Sequence, residues 1–97
     1  IDEILSLNGI DMVSTGKHDL SQSYGIPGQN THPTVVAAEE KVIQKSVKYG
    51  KVPILLVSSQ ERKQALLKKG VKGFMIGRDS QLLRSAMKEN IKTYRQA

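Results

Sequence analysis

Cysteine is absent from the chain, and its absence removes several classes of function. There can be no disulfide, no thiol nucleophile and no cysteine-based zinc cluster. The two histidines, His18 and His32, stand far apart and do not have a metal-ligand spacing, and no serine occupies a nucleophile elbow. A chain without cysteine fits a reducing compartment, so we expect a cytoplasmic location.

Aromatic residues are scarce, at 4% of the chain, and tryptophan is absent. This matters because a formal net charge of +6 invites a nucleic-acid interpretation, and a nucleic-acid footprint needs a concentrated basic stripe with stacking aromatics. The basic residues are instead spread over three predicted helices: Lys41, Lys45 and Lys48, then Arg62, Lys63, Lys68 and Lys69, then Arg84, Lys88, Lys92 and Arg95. They are mixed with Glu39, Glu40, Glu61 and Glu89. We therefore predict solvated helix faces and no nucleic-acid partner.

Long apolar runs are also absent, since none approaches the roughly 20 residues of a membrane-spanning helix. No basic segment followed by an apolar one resembles a signal peptide, and no membrane partner is expected. With 38% hydrophobic and 25% charged residues in 97, the composition is that of one globular domain at most. Because the first residue is Ile1 rather than Met, we expect a proteolytic product, a deliberate fragment or a processed chain.

Apolar periodicity and glycine positions predict alternating helices and strands. Residues 1–8 have the pattern of a helix end, and a strand at 10–15 and a glycine-rich loop at 16–31 follow. Next we predict a helix over 34–49, capped by Thr31 or His32, and a strand at 52–57. A capping box at 58–61 begins a helix that runs to Lys69. A strand at 71–76 and a last helix to Tyr94, capped by Asp79 or Ser80, follow.

The strand at 52–57 is apolar without polar alternation, which is typical of a parallel strand covered on both faces. Strands that alternate with helices imply right-handed crossovers and parallel neighbours in sequence order. Such units fit either a barrel or an open doubly wound sheet. A complete (β/α)8 barrel needs about 250 residues, so a barrel of 97 residues would be incomplete.

Asp19 is the sharpest candidate for chemistry. It stands just beyond the first predicted strand, where parallel α/β proteins bind ligands, and Gly16 is free to take a positive φ at the turn between them. A carboxylate there suits Mg²⁺, Mn²⁺ or a similar divalent ion, and the alternative is a cap for a short turn at Leu20 and Ser21. The segment at 77–80 could bind an anion at a helix start, but a capping Asp79 would occupy the same donors. The glycine pair Gly25 and Gly28 fits an ordinary loop.

Three linked motifs carry a family resemblance: Gly-Lys-His-Asp-Leu-Ser at 16–21, Gly-Ile-Pro-Gly-Gln at 25–29 and His-Pro at 32–33. Together they resemble the metal-dependent pyruvate aldolases that cleave 4-hydroxy-2-oxo acids, relatives of the citrate lyase β-subunit. Lys17 replaces a proline of that pattern, which loosens the turn and adds a positive charge. The resemblance implies an α/β fold made of the carboxyl-terminal three βα units of a pyruvate kinase-like (β/α)8 TIM barrel. Residues 1–97 would then be a single partial domain whose strands are the sixth to eighth.

The resemblance also implies a reaction and a division of labour. A divalent metal (Mg²⁺, Mn²⁺ or Co²⁺) would stabilise the enolate formed when a 4-hydroxy-2-oxo acid is cleaved to pyruvate and an aldehyde. Asp19 would be one acidic metal ligand, and backbone N–H groups at Gly16 and His18 would hold the pyruvate carboxylate. No catalytic residue falls in this portion, because the family's base, arginine and second acidic ligand lie earlier, and neither His18 nor His32 matches the base.

Two alternatives stay open: an acyl-CoA or citrate lyase-type enzyme of the same superfamily, and a noncatalytic βα fragment that folds only with partner chains. The 97-residue chain alone is expected to be inactive. In the resembled enzymes the last helix packs across a subunit boundary. Together with the unpaired strand edges and the apolar stripe of residues 82–94, this predicts that the chain contacts another chain or the missing part of its own parent protein, and that the parent is a homo-oligomer.

Overall fold

The computed structural model describes residues 1–96 and shows a parallel three-stranded sheet in sequence order, β1-β2-β3, with helices between the strands. The elements are α1 (Asp2–Leu5), β1 (Met12–Val13), α2 (Lys17–Ser23), α3 (Pro33–Lys48), β2 (Val52–Val57), α4 (Gln60–Lys68), β3 (Gly73–Ile76) and α5 (Asp79–Arg95). The predicted alternation and parallel pairing are confirmed, and β2 has the predicted bounds.

The hydrophobic core lies between the central strand and two helices. Leu55 of β2 packs with Ile43 of α3, Leu66 of α4 and Val71, and all four are buried. The other face of β2 is only half-buried at Leu56. The expectation of a strand covered on both faces is therefore met on the helix side only, within residues 1–96.

Two strands are shorter than predicted. The β1–β2 ladder joins only Met12 to Val52 and Val13 to Pro53, and Pro53 has no N–H to donate. The strand predicted at 71–76 begins at Gly73 because the preceding residues close α4. Gly70 adopts φ +87°, its N–H bonds Leu67 O at 3.0 Å, and Val71 N–H bonds Leu66 O at 3.1 Å. This is a Schellman motif, so the Val71 amide belongs to the helix end.

The predicted loop at 16–31 contains a helix, α2, that the sequence analysis missed. It begins at Lys17 and ends in the same way as α4: Gly25 has φ +72°, its N–H bonds Gln22 O, and Ile26 N–H bonds Ser21 O. Apolar residues are too few in this segment for helical periodicity to show. The glycine followed by an apolar residue is a helix-stop signal that could have revealed it.

The last helix, α5, lies largely in solvent. None of its residues is buried, and its large apolar side chains are all exposed: Leu82, Leu83, Met87, Ile91 and Tyr94. The Cα radius of gyration is 16.7 Å, whereas a compact domain of about 100 residues has about 13 Å. No helix within residues 1–96 is long and apolar enough to cross a membrane. The cytoplasmic location and the single partial domain stay predictions.

Candidate functional site

A pocket of about 430 Å³ opens at the carboxyl ends of the strands. Its lining comes from the segments that follow each strand and from the helices behind them: residues 14–18, Asn30, Glu39, Leu56, Ser58, Arg62, Met75, Gly77 and Arg78. Parallel α/β proteins bind ligands at this edge because loops from several strands converge there. The pocket is thus formed in part by the segment that the sequence analysis singled out.

Gly16 precedes α2 with φ −104° and ψ 105°, so the expected positive φ is wrong. A Cβ on Gly16 would lie 2.7 Å from Oδ2 of Asp19, because the aspartate turns back over the glycine from the first turn of α2. The glycine thus lets the Asp19 carboxylate lie close to the backbone, although this exposed side chain could rotate away from a Cβ.

Asp19 is exposed, and within residues 1–96 its carboxylate makes no salt bridge or side-chain hydrogen bond. A free carboxylate beside the pocket fits one position of a hard-cation site. No group of three or more His, Cys, Asp or Glu side chains in the described part of the chain could hold a metal ion. Asp19 could therefore act as one ligand only, with the others supplied from outside residues 1–96. The alternative role predicted for Asp19, a cap for a turn at Leu20 and Ser21, is wrong. Asp19 lies inside the first turn of α2, the cap residue is Gly16, and no side chain caps the helix. A carboxylate in the first turn interacts favourably with the helix dipole without being a cap.

The backbone donors predicted to hold a carboxylate lie at the start of α2. Gly16 and His18 both line the pocket. The first N–H groups of a helix have no partner within it, and no side chain caps those of α2. These amides can therefore donate hydrogen bonds to an anionic group, which is the chemistry expected of them.

The ring of His18 contacts the amide of Asn30. The Asn30 Nδ2 atom lies 3.2 Å from Nδ1 and 3.1 Å from Nε2 of the histidine. Asn30 Oδ1 is buried and has no hydrogen-bond partner within residues 1–96. A buried acceptor without a partner thus lies in a residue that lines the pocket, and sequence reasoning did not find it.

Behind the pocket, the buried carboxylate of Glu39 forms salt bridges with Lys17 and Arg62. Glu39 is 6% exposed, and both of its oxygens lie 3.1 Å from Nη2 of Arg62. Lys17 Nζ lies 3.2 Å from Oε1, and the Thr15 hydroxyl donates to Oε2 at 3.4 Å. Arg62 Nε also donates to Leu56 O at 3.1 Å. The prediction of a solvated outer face is wrong for Glu39 and Arg62.

A signal for Glu39 was present in the sequence. It stands four residues after Val35 and four before Ile43, and both of these are buried on the inner face of α3. Residues at this spacing share one face of a helix, so a charged side chain among them must be buried and paired. Arg62 has no such signal, because only the tertiary structure brings α4 beside α3.

The other candidates have structural roles. His32 caps α3, since its Nδ1 accepts the Thr34 N–H at 3.2 Å, which confirms one of the two predicted caps. The predicted cap of α5 by Asp79 or Ser80 is wrong in position, because Arg78 is the cap residue and Asp79 is already helical. Asp79 Oδ1 nevertheless accepts the Ser80 N–H at 2.7 Å, so the carboxylate occupies a donor at the helix start as expected.

The model of the HpcH/HpaI aldolase/citrate lyase family matches residues 1–86. The chain belongs to this family. Its α/β fold with a parallel sheet matches a crystal structure of an HpcH/HpaI aldolase from Desulfitobacterium hafniense. That match has a TM-score of 0.84 and 28% identity over 99% of the chain and 38% of the aldolase.

Two HpcH/HpaI relatives are named 4-hydroxy-2-oxo-heptane-1,7-dioate aldolase. The chain is 34% identical to the Escherichia coli protein over 86 residues, which are 89% of the chain and 33% of the relative. It is 35% identical to the Klebsiella pneumoniae protein over 83 residues, 86% of the chain and 31% of the relative. The chain thus spans about a third of the length of the relatives it matches.

A second solved structure resembles the chain at least as well. The crystal structure of the citrate synthase SbnG has a TM-score of 0.89 and 28% identity, over 98% of the chain and 39% of that protein. The solved structures that resemble the chain thus have different reaction names. Membership of the HpcH/HpaI family establishes an aldolase and lyase kinship for the chain.

Proposed function

We propose that the whole protein containing this chain is a carbon–carbon lyase that cleaves a 4-hydroxy-2-oxo acid to pyruvate and an aldehyde. The observation that carries the proposal is the pocket at the strand ends, formed in part by residues 16–18 in a chain 34% identical to an aldolase so named. Breaking the bond leaves negative charge on the keto oxygen of the pyruvate portion. A divalent metal, when bound, stabilises such charge.

Each candidate residue would have a separate task, with Gly16 and His18 lining the pocket and Asp19 next to this lining in the sequence. The N–H groups of Gly16 and His18 would bind the carboxylate of the 2-oxo acid, since they lie at the uncapped start of α2. Asp19 would supply one anionic oxygen ligand to the metal. Of the two histidines, His32 is engaged as a helix cap and His18 contacts Asn30. The base for proton transfer would therefore come from the rest of the whole protein, and the chain alone should be inactive.

We propose that β1, β2 and β3 are the last three strands of a (β/α)8 barrel. Their parallel pairing in sequence order supports this arrangement. So does the half-buried side chain of Leu56, which lines the pocket on the face turned away from the helix-side core. Within residues 1–96 the outer edges of β1 and β3 have no strand partner, and barrel closure would pair both.

We further propose that the whole protein is a homo-oligomer in which α5 packs against another subunit. Two exposed surfaces support this proposal. The apolar stripe of α5 lies in solvent, and Ile76, on the same face of β3 as Phe74, is 79% exposed. If two copies exchanged their α5 helices in a twofold dimer, the helix of each copy would cover both surfaces of the other.

The direct test is to assay pyruvate release from 4-hydroxy-2-oxo acids by the purified whole protein, with Mg²⁺ or Mn²⁺ and after chelation. We expect turnover that depends on the metal and exceeds a blank of metal alone. Absence of release with every 4-hydroxy-2-oxo acid would contradict the proposal and favour the noncatalytic alternative.

A second candidate reaction is favoured by the likeness to the citrate synthase SbnG, whose TM-score of 0.89 is above that of the aldolase structure. In this alternative, the whole protein would form or cleave a carbon–carbon bond of a citrate-like or acyl-CoA substrate. Parallel assays with citrate and with oxaloacetate plus acetyl-CoA distinguish the two. Activity on these substrates alone would replace the aldolase proposal.

A further inference from the structure

The buried carboxylate of Glu39 connects parts of the chain that are distant in sequence. Its salt-bridge partners are Lys17 at the start of α2 and Arg62 in α4, at 3.2 and 3.1 Å. Arg62 is itself tied to β2 through its hydrogen bond to Leu56 O. Because Glu39 is nearly inaccessible to solvent, these contacts are weakly screened and hold the groups at defined positions.

The two contacts that Glu39 makes near the pocket fall on both sides of Gly16. The Thr15 hydroxyl reaches Oε2, and the Lys17 ammonium reaches Oε1. Glycine loses more conformational freedom on folding than any other residue, so a glycine that must present its N–H in one direction benefits from anchored neighbours. Fixing residues 15 and 17 to one rigid helix limits the orientations open to the peptide units around residue 16.

We propose that Glu39 is a positioning residue for the 2-oxo-acid site. By holding Thr15 and Lys17, it orients the N–H groups of Gly16 and His18 toward the carboxylate of the ligand without touching it. This inference rests on the proposed function for the identity of the ligand. It assigns to Lys17 an anchoring role, since its ammonium is directed to Glu39 at 3.2 Å.

The test compares Glu39→Gln and Lys17→Met with the unmodified whole protein, using pyruvate as the probe in the presence of Mn²⁺. Calorimetry should show the pyruvate Kd rising about tenfold in both variants, which is the lower end of the loss seen when the outer-shell partners of metal ligands are removed. In turnover assays, KM for the 2-oxo acid should rise while kcat stays close to that of the unmodified protein, because carboxylate binding is shared by ground and transition states. A role in folding alone would lower the active fraction and leave Kd and KM unchanged.

Two further variants act as controls. Glu40→Gln changes the neighbouring carboxylate, which pairs with Lys69 outside the pocket, and should leave the pyruvate Kd unchanged. Lys17→Arg keeps the positive charge facing Glu39 and should restore most of the affinity lost in Lys17→Met. Lys17→Met also keeps the Glu39–Arg62 pair, so it remains informative if Glu39→Gln does not fold. An unchanged Kd in folded Lys17→Met overturns the proposal.

The positioning role can be separated from the proposed function. Hydrogen exchange at the amides of residues 16–18 reports on the order of this segment whether or not pyruvate binds. Loss of protection in Lys17→Met, with Glu40→Gln like the unmodified protein, supports positioning even if the whole protein neither binds pyruvate nor cleaves a 4-hydroxy-2-oxo acid. Unchanged protection in Lys17→Met overturns it even if the enzyme is an aldolase.

Discussion

At the scale of single residues, Glu39 and Glu40 show how strongly position on a helix determines the environment of a charge. Successive residues of α3 are rotated by about 100°. Glu39 therefore points to the buried side and pairs with Lys17 and Arg62, whereas Glu40 lies nearer solvent and pairs with Lys69. Glutamate at position 39 is therefore part of the site, whereas glutamate at position 40 belongs to a surface ion pair.

Glu40 leads to a prediction about acid stability. The hydrogen bond from Lys69 lowers the pKa of Glu40 below its ordinary value of 4.5. The pair therefore contributes stability that is fully present above about pH 4.5 and is lost as the pH falls through the lower pKa of the folded state. As a surface pair it should contribute at most about 1 kcal/mol.

The measurement is urea unfolding of the whole protein at pH 7 and at acidic pH. Glu40→Gln and Lys69→Met, which break the same pair from its two ends, should both reduce the loss of stability on acidification. If both variants keep the pH dependence of the unmodified protein, the pair does not stabilise the fold.

Asp19 leads to a prediction about metal binding. Asp19→Asn should weaken divalent-metal affinity by more than about tenfold, since losing even an outer-shell partner of a metal typically costs that much. Because the side chain is exposed, the free energy of unfolding should change by no more than about 0.5 kcal/mol. A Mn²⁺ titration of the whole protein measures the affinity, and Asp11→Asn is the control for an exposed carboxylate nearby. Unchanged metal affinity would contradict the ligand role of Asp19.

At the scale of elements, the parallel ladder between β2 and β3 depends on a close approach at one position. Gly73 lies opposite Ile54, and a Cβ on Gly73 would stand 2.5 Å from Ile54 Cγ1. Isoleucine is branched at Cβ and cannot turn away without leaving its preferred rotamer. At the start of β3, Gly73 therefore leaves the space that the side chain of Ile54 on β2 occupies.

Gly73→Ala should accordingly destabilise the fold by about 1–3 kcal/mol, the usual cost of overpacking. Thermal or urea unfolding of the whole protein gives the value. Gly9→Ala is the matched control, because a Cβ there meets nothing within 4 Å. Adding Ile54→Ala to Gly73→Ala should remove the clash, although Ile54→Ala has its own packing cost. If Gly73→Ala and Gly9→Ala are equally stable, the close approach has no energetic consequence.

At the scale of the whole molecule, α5 is the feature that the described chain does not accommodate. The apolar side chains of α5 contribute little hydrophobic stabilisation while they are exposed to water. Contiguous exposed apolar patches of this kind normally mark an interface. The exposed side chain of Ile76 gives the same indication on β3. These exposed apolar surfaces within residues 1–96 are the ones that the proposed barrel and oligomer would bury.

The corresponding prediction concerns assembly. In the whole protein, Leu83→Arg should weaken or abolish the oligomer by placing a charge in the stripe, while Lys92→Glu on the same helix should have a smaller effect. Analytical sedimentation measures both. The 97-residue chain by itself should associate or lack cooperative unfolding. A compact, cooperatively melting monomer of that chain at micromolar concentration would contradict the incomplete barrel and the assembly alike.

Local pattern determined the alternation of the strands with the longer helices, the parallel pairing of β2 and the position of the pocket segment. These depend on interactions between residues close in sequence: apolar periodicity, glycine at helix ends and an unbroken apolar strand. The tertiary structure alone decided that Arg62 and Lys17 meet at Glu39 and that α5 stays exposed. Both depend on where separate elements are placed relative to one another, which local sequence does not encode.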